Sequence, residues 1–583
     1  MRSSVKILIS ACLLFALAGP NVFGAKTMVI FTGGTDTVRA LSSLDSIKFT
    51  GASPAYNFVM HKGGANIPVG FSIIDSIRFY DGVAVFTPEM LYNAFAASPM
   101  MLTAGKSSVT LDLGNLKSGF TGEIITDPID FLDTANNAVS TLGSLYNVTV
   151  MTQSTVPGGA SINLFYKTGN TFFTETGWSS WTAAPATSCD LSGLSGRYLK
   201  LRFALATNSK AALPQISRVA AYASLSGLSS FTNPIALTAF QNEKIVTGPY
   251  AVGWESRDNT RIHSLITSFR LDTTGTGKTG FSRITALLDW VARRPRNAGY
   301  PWSPSPYPWN LDQLISSGGT ITGDCTSYAI VMISALTGLG YYARHWAMQG
   351  IDNDNNHEIV EWWSDSLRKW VYLDPSLDTY YKNTATQAPM SIREMHNIYI
   401  TEIGQANQTT ALACVDAHYH YGVYTPTYDW RTFQGYTTTG YMQLTERNNF
   451  HSQALPSFNG FGQGFWGYSD VNLYHDWMDS LTPTLTLDTS ITCQSGRTRD
   501  FWYTLNQASI KAKRGAEGAL TLDFGNSQPF FKQYAVSVDG GAAIVQAGAA
   551  FAWTLHSGVN TVTVSPEDNW GGRGLSSSMT VTF

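Results

Sequence analysis

Gly323-Asp324-Cys325-Thr326-Ser327 leads into Tyr328-Ala329-Ile330-Val331-Met332-Ile333-Ser334-Ala335-Leu336, an apolar run that stops at Gly338. A run that is apolar on nearly all sides and closed by glycine predicts a buried helix. Asp324 suits its N-cap, which puts Cys325 in the first turn. There the positive end of the helix dipole favours a thiolate, and the backbone N–H groups have no intrahelical partner.

Downstream, His357-Glu358-Ile359-Val360-Glu361-Trp362-Trp363 and Trp370-Val371-Tyr372-Leu373-Asp374 both alternate, with Ser364 to Lys369 between them. This pattern predicts a hairpin. A turn centred on Asp365-Ser366 would set Glu361 opposite Trp370, Ile359 opposite Tyr372 and His357 opposite Asp374. Directly opposed residues have Cβ atoms roughly 4.5–5.5 Å apart, within reach of an imidazole–carboxylate hydrogen bond. A slip of one residue would send one partner to the other face. A thiol, a base and a carboxylate therefore follow in order within about fifty residues, the set needed for an activated nucleophile.

The segment from about 281 to 375 resembles the transglutaminase-like superfamily, a papain-related group of Cys-His-Asp enzymes. The resemblance rests on several features taken in order. These are a lead helix from Arg283 to Val291, the Gly-x-Cys helix start with Ala329 one turn later, and Gly340 with Ala343-Arg344. His357 with Glu361 four residues on, then Trp370 with Asp374-Pro375, complete it. Asp324 before the cysteine and Glu358-Ile359 after the histidine depart from the family's usual small residue and Ala-Trp. The resemblance implies that Cys325 attacks an amide carbonyl, that His357 is its base, and that Asp374 fixes the imidazole. The Cys325 N–H and one upstream donor would hold the oxyanion, with Trp302, Trp309 and Asn310 as candidates. Asp324, Trp346, Glu361 and Trp363 are the candidates to line a substrate groove. The acyl-enzyme could pass to water or to an amine.

Each residue also has a plainer reading. Cysteine entering an apolar helix is usually a small core residue, His357 alone would be an ordinary strand histidine, and Asp374-Pro375 alone a turn. His345 competes as the base but shows no partner carboxylate on its own stretch. The non-enzymatic alternative is a surface protein for adhesion or glycan binding that keeps the fold as a scaffold.

Length and composition fit a multidomain, β-rich extracellular type of chain. It has 583 residues, 52 of them Gly, with 13% aromatic and 14% charged residues; one core cannot fill that length. A net charge of −3 gives no basic footprint for nucleic acid. Arg2 and Lys6 precede an apolar run from Ile7 to Ala18, and Val22-Phe23-Gly24 offers a cleavage site, as in a secretory signal. Ile9-Ser10-Ala11-Cys12 lies too near the start for a lipoprotein box. No later stretch reaches the roughly 18–20 apolar residues of a membrane span. The expected location is therefore secreted, periplasmic or at the cell surface. Cys189, Cys325, Cys414 and Cys493 form no disulfide framework.

The expected organisation is a signal peptide over 1–24, a short β repeat module over 25–83 and a jelly-roll-like β-sandwich over 84–226. The transglutaminase-like domain, with an aromatic-rich extension, takes 227–480, and an immunoglobulin-like sandwich takes 481–583. The fold class is thus a multidomain β-rich chain, with an α+β catalytic domain of papain-related type between β-sandwiches. In the repeat module, Met28 to Phe49 matches Phe58 to Phe79 at an offset of thirty, through Gly33-Gly34 and Gly63-Gly64. Trp178-Ser179-Ser180-Trp181 resembles jelly-roll modules, some of which bind glycans. A peptide or polypeptide is the expected substrate and an extracellular glycan the second partner considered. No cofactor is expected. Asp352-Asn353-Asp354-Asn355-Asn356 alternates like a calcium loop but lacks the glycine and glutamate that an EF-hand needs. Cys414, Asp416, His418 and His420 make one short metal-type cluster without a second half.

Overall fold

Tyr198–Thr207 buries nearly every second side chain, the mark of a strand with one face in a core. Its partners follow the same rule and build a two-sheet sandwich. One sheet runs Cys189–Leu191, Leu142–Thr155, Gln215–Ser229, Val109–Leu111, Met100–Leu102. The other runs Thr182–Ala183, Ala160–Gly169, Tyr198–Thr207, Phe120–Ile125, Phe95–Ala96. Val148, Val150 and Val219 of the first interleave with Leu164, Leu201 and Phe203 of the second in a single core.

The structure, a computed structural model, describes residues 27–32, 35–40, 46–50, 57–62, 65–70, 76–96, 100–102, 107–111, 120–132, 142–209, 211–229, 231–248, 252–297, 311–349, 356–402, 411–415, 427–428, 441–445, 448, 465–468, 491–495 and 497–583. The segment expected to be a signal peptide lies outside them.

The N-terminal repeats exchange strands. Thr27–Thr32 pairs with Thr35–Ala40 of its own repeat, but its other neighbour is Ser76–Tyr80 of the second repeat. Reciprocally, Ser46–Thr50 of the first repeat pairs with Asn57–Lys62 of the second. Asp36 anchors the module to the sandwich through a fork from Arg218 and a hydroxyl from Tyr222.

In the central unit the Cys325–Gly338 helix is buried along its whole middle, from Ser327 to Thr337. It packs against the Thr260–Phe269 and Phe281–Ala292 helices in one apolar cluster. Gly338 matters for closeness: a Cβ there would come within 2.5 Å of Ile266 and 2.8 Å of Ile262. The left-handed turn that ends the helix is at Gly340, φ 86°.

The helix covers one face of a six-stranded sheet. Its order is Lys369–Leu373, Asn356–Ser364, Ala343–Gln349, Tyr441–Thr445, Phe465–Tyr468, Ile491–Ser495. Val360, Trp362, Val371 and Leu373 face the helix cluster. Ile359, Trp363, Trp370 and Tyr372 face a second, aromatic cluster that includes Phe501 and Tyr503.

Two strands join sheets distant from their place in the chain. Ala236–Gln241 lies in a C-terminal sheet beside Ser577–Thr582, so this piece of chain before the central unit belongs to the last sandwich. Conversely, Ile491–Ser495 extends the central sheet, and Phe501 and Tyr503 fill its core. Local strand patterns mark strands but not the sheet each one joins, because pairing is decided over long range. The C-terminal sandwich itself sets that five-stranded sheet against Ala508–Arg514, Ala519–Asn526 and Ala550–Thr554 over one core. No helix among the described residues is long and apolar enough to cross a membrane.

Candidate active site

The loop before Cys325 is held by its neighbours. Arg296–Asn297 pairs in parallel with Ile321–Thr322, the Gly323 N–H donates to the Asn297 carbonyl (3.0 Å), and Arg296 Nε donates to the Gly323 carbonyl (2.8 Å). Gly323 itself has φ 117°, a conformation that glycine reaches readily. Asp324 then caps the helix, its Oδ1 accepting the Thr326 N–H at 3.2 Å. Cys325, a half-buried residue outside any disulfide, stands in the first turn.

His357 opens the Asn356–Ser364 strand, opposite Met348. Its Nε2 lies 2.6 Å from Asp374 Oδ2, and both side chains are almost wholly buried. The Cys325 side chain engages the same imidazole. With Nε2 committed to the carboxylate, Nδ1 is the ring nitrogen that remains for the thiol proton. Burial alone would pull the His357 pKa down. The charge and hydrogen bond of Asp374, and then those of Cys325, outweigh it and hold His357 well above its ordinary value.

Asp374 is fixed by a turn the sequence reading did not use. Its Oδ1 accepts the Ser376 hydroxyl (2.7 Å), the Ser376 N–H (3.1 Å) and the Leu377 N–H (3.2 Å). Asp followed by Pro and Ser is turn chemistry, and it was the available signal for this cradle. Oδ2 is thereby left to the histidine.

The hairpin register differs from expectation by two. Trp363 pairs with Trp370, Glu361 with Tyr372 and Val360 with Leu373, so His357 does not lie opposite Asp374. The cause is the loop. Ser364 pairs with Lys369 around four residues, closed by Arg368 in the left-handed region at φ 52°, and the turn centre moves to Ser366-Leu367. A shift of two preserves the face of every side chain, and the diagonal neighbours still meet.

Three of the four residues expected to line a substrate groove are interior. Trp346 is fully buried and stacked on Trp502 at 5.3 Å. Trp363 is buried edge-on to Trp370 and donates Nε1 to Asp365. Glu361 is fully buried, and its carboxylate accepts Arg344 Nη2 (2.7 Å), Trp346 Nε1 (2.8 Å) and the Ile392 N–H (3.1 Å). A carboxylate this fully engaged is a structural hub. Only Asp324 keeps partial exposure beside the thiol.

His345 finds a carboxylate on the neighbouring strand, not on its own stretch. It is fully buried, and its Nε2 lies 2.5 Å from Glu358 Oε2 on the adjacent strand. Glu358, read from sequence as an unusual neighbour of His357, is thus the partner of the rival histidine. Trp302, Trp309, Asn310, the Asp352–Asn355 stretch and His418 lie outside the described residues. Cys414 is on the Ala411–Val415 strand. Among the described residues no cluster of three or more His, Cys, Asp or Glu is placed to hold a metal.

A cysteine at a helix N-terminus, joined through an imidazole to a turn-fixed carboxylate, is the set of groups that an activated thiol nucleophile requires. Residues 267–375, which contain all three groups, match the transglutaminase-like superfamily, and the chain carries a domain of that superfamily. No curated protein matches the chain. Among solved structures it is similar to a protein from Cytophaga hutchinsonii assigned provisionally as a cysteine protease. That similarity has 11% identity and a TM-score of 0.17, over 44% of this chain and 77% of that one. It is also similar to red sea bream transglutaminase, with 9% identity and a TM-score of 0.18, over 80% of this chain and 95% of that one.

Proposed function

We propose that this chain is an exported cysteine enzyme acting on amide carbonyls of peptides or proteins, with Cys325 as nucleophile, His357 as base and acid, and Asp374 as orienter. The observation that carries the reading is the continuous chain from the Asp374 carboxylate through His357 to Cys325. The buried carboxylate stabilises imidazolium, and imidazolium stabilises the thiolate beside it. Thiolate sulfur attacks the carbonyl carbon, and the carbonyl electron pair moves to oxygen. The Cys325 N–H is a donor for that oxyanion. When the tetrahedral intermediate collapses, the C–N bond breaks and the amine leaves with the His357 proton, giving a thioester. His357, now neutral, takes a proton from the acceptor that cleaves the thioester. Water gives hydrolysis and an amine gives transamidation; water is always present, and hydrolysis is the outcome we assign.

The test is alkylation by iodoacetamide across a mildly acidic to mildly alkaline pH series, read by intact mass and peptide mapping. Fast labelling of Cys325 in mild acid, lost in His357→Ala, is expected, together with amide turnover that Cys325→Ala abolishes. Labelling that tracks ordinary thiol ionisation and ignores His357 would reduce Cys325 to a structural cysteine and overturn the reading.

A further inference from the structure

Between the N-terminal and C-terminal sandwiches lies a cavity of roughly 1030 Å³, and none of Cys325, His357 and Asp374 lines it. Its most unusual wall is the outer face of one sandwich sheet. There Lys167 and Lys200 stand directly opposite each other on paired strands. Like charges so placed repel and destabilise a sheet. Both are also largely withdrawn from water, with 10% and 15% of their side chains exposed.

One carboxylate serves both of them. Glu175 bonds Lys167 through one oxygen and Lys200 through the other, while 61% of its own side chain is exposed. Two indoles hold the cations in place. The Lys167 Nζ is 5.3 Å from the Trp178 ring centre and 4.8 Å from that of Trp181, and the Lys200 Nζ is 4.9 Å from Trp178. Two fixed cations thus share a single anion borne on an exposed side chain.

The facing wall is also built in advance. The Phe173 ring packs onto Gly525, where a Cβ would come within 2.5 Å of it, and Lys513 donates to the Asn170 carbonyl at 2.7 Å. Lys511 on the lining is paired with Asp130 at 3.4 Å, and Phe240, 43% exposed, presents an open ring.

We propose that this cavity binds an acidic saccharide, a glycan carrying uronic acid, whose carboxylate takes the place of Glu175 on Lys167 and Lys200. Charge-assisted bonds from two lysines would orient the carboxylate. The Phe240 ring suits the C–H face of a pyranose, and Thr174 and Thr247 on the lining suit its hydroxyls. A peptide bound by strand addition would need the backbone groups of a strand edge. The Lys167–Lys200 wall is a sheet face and offers side chains instead.

The test is calorimetric titration of the intact protein with short galacturonic-acid oligosaccharides, beside neutral cello-oligosaccharides and a glutamate-rich peptide. The uronic oligosaccharide should bind, weaken as salt rises, and lose affinity in Lys200→Met. Glu175→Gln removes the internal competitor, so the same ligand should bind about tenfold more tightly. A merely structural ion pair would predict no gain. Thermal unfolding checks that the variants fold, and Glu175→Gln alone decides the matter if Lys200→Met does not. Absence of binding to both wild type and Glu175→Gln would overturn the proposal. So would equal binding of the neutral sugar, or preference for the acidic peptide.

Discussion

The 2.6 Å contact between His357 Nε2 and Asp374 Oδ2 joins two strands whose ladder sets neither residue opposite the other. Val360 pairs with Leu373, so Asp374 falls in line with Ile359, two positions from the histidine. The pair is diagonal, and the Ser376 turn aims the carboxylate across the gap.

This pairing dictates a pH response. The raised pKa of His357 means that the stabilisation of its charged form is complete below the unfolded value of about 6.5 and is lost as pH rises through the folded value. In Asp374→Ala burial remains while the compensating charge is gone, so the His357 pKa should fall below its ordinary value. Cys325 alkylation in mild acid should then slow by at least about tenfold, and stability below neutrality should drop by about 3 kcal/mol. Alkylation and chemical denaturation at several pH values measure both; an unchanged pH profile would contradict the assignment.

Ser376 acts on the reaction only through Asp374. Ser376→Ala removes its hydroxyl donor and leaves the two backbone donors in place. A stability loss of about 1 kcal/mol is expected. The pH profile of Cys325 alkylation should also shift toward that of Asp374→Ala. A residue with a merely structural role would cost stability without moving the profile.

The hairpin tip carries a linkage of the same sign. Burial raises the Asp365 pKa to about 6, against its hydrogen bonds from Asn506 and Trp363, which lower it. Folding therefore favours the protonated acid. The group's stability contribution is full below the unfolded value and falls as pH rises through about 6. That slope is worth about 2 kcal/mol between pH 4 and pH 7. It should flatten in Asp365→Asn, which urea denaturation across that range would show.

What was legible in the sequence follows from which forces are local. The cysteine helix, its Asp324 cap and the alternating strands follow from periodicity and capping, and these survive in the structure. The His357–Asp374 contact was reached through a wrong register, because an error of two residues keeps the face while an error of one would not. The four-residue loop closed by Arg368 carries no glycine to announce it. Partners distant in sequence were not legible. Ala236–Gln241 joins a strand more than three hundred residues away, and Trp346, expected in a groove, is covered by Phe501 and Trp502 from far downstream.

Glu361 gives the sharpest separation between a structural and a substrate-binding carboxylate. Its partner Arg344 is fully buried, lies over the Trp370 ring at 3.8 Å and also donates to the Phe501 carbonyl. Removing the carboxylate leaves that guanidinium charged, dry and without its counter-ion, a change that typically costs about 3–5 kcal/mol. Glu361→Gln should therefore lower the denaturation midpoint strongly. At a temperature where the variant remains folded, KM for an amide substrate should be unchanged, because the side chain has no surface to offer. A raised KM with normal stability would place Glu361 in the substrate groove after all.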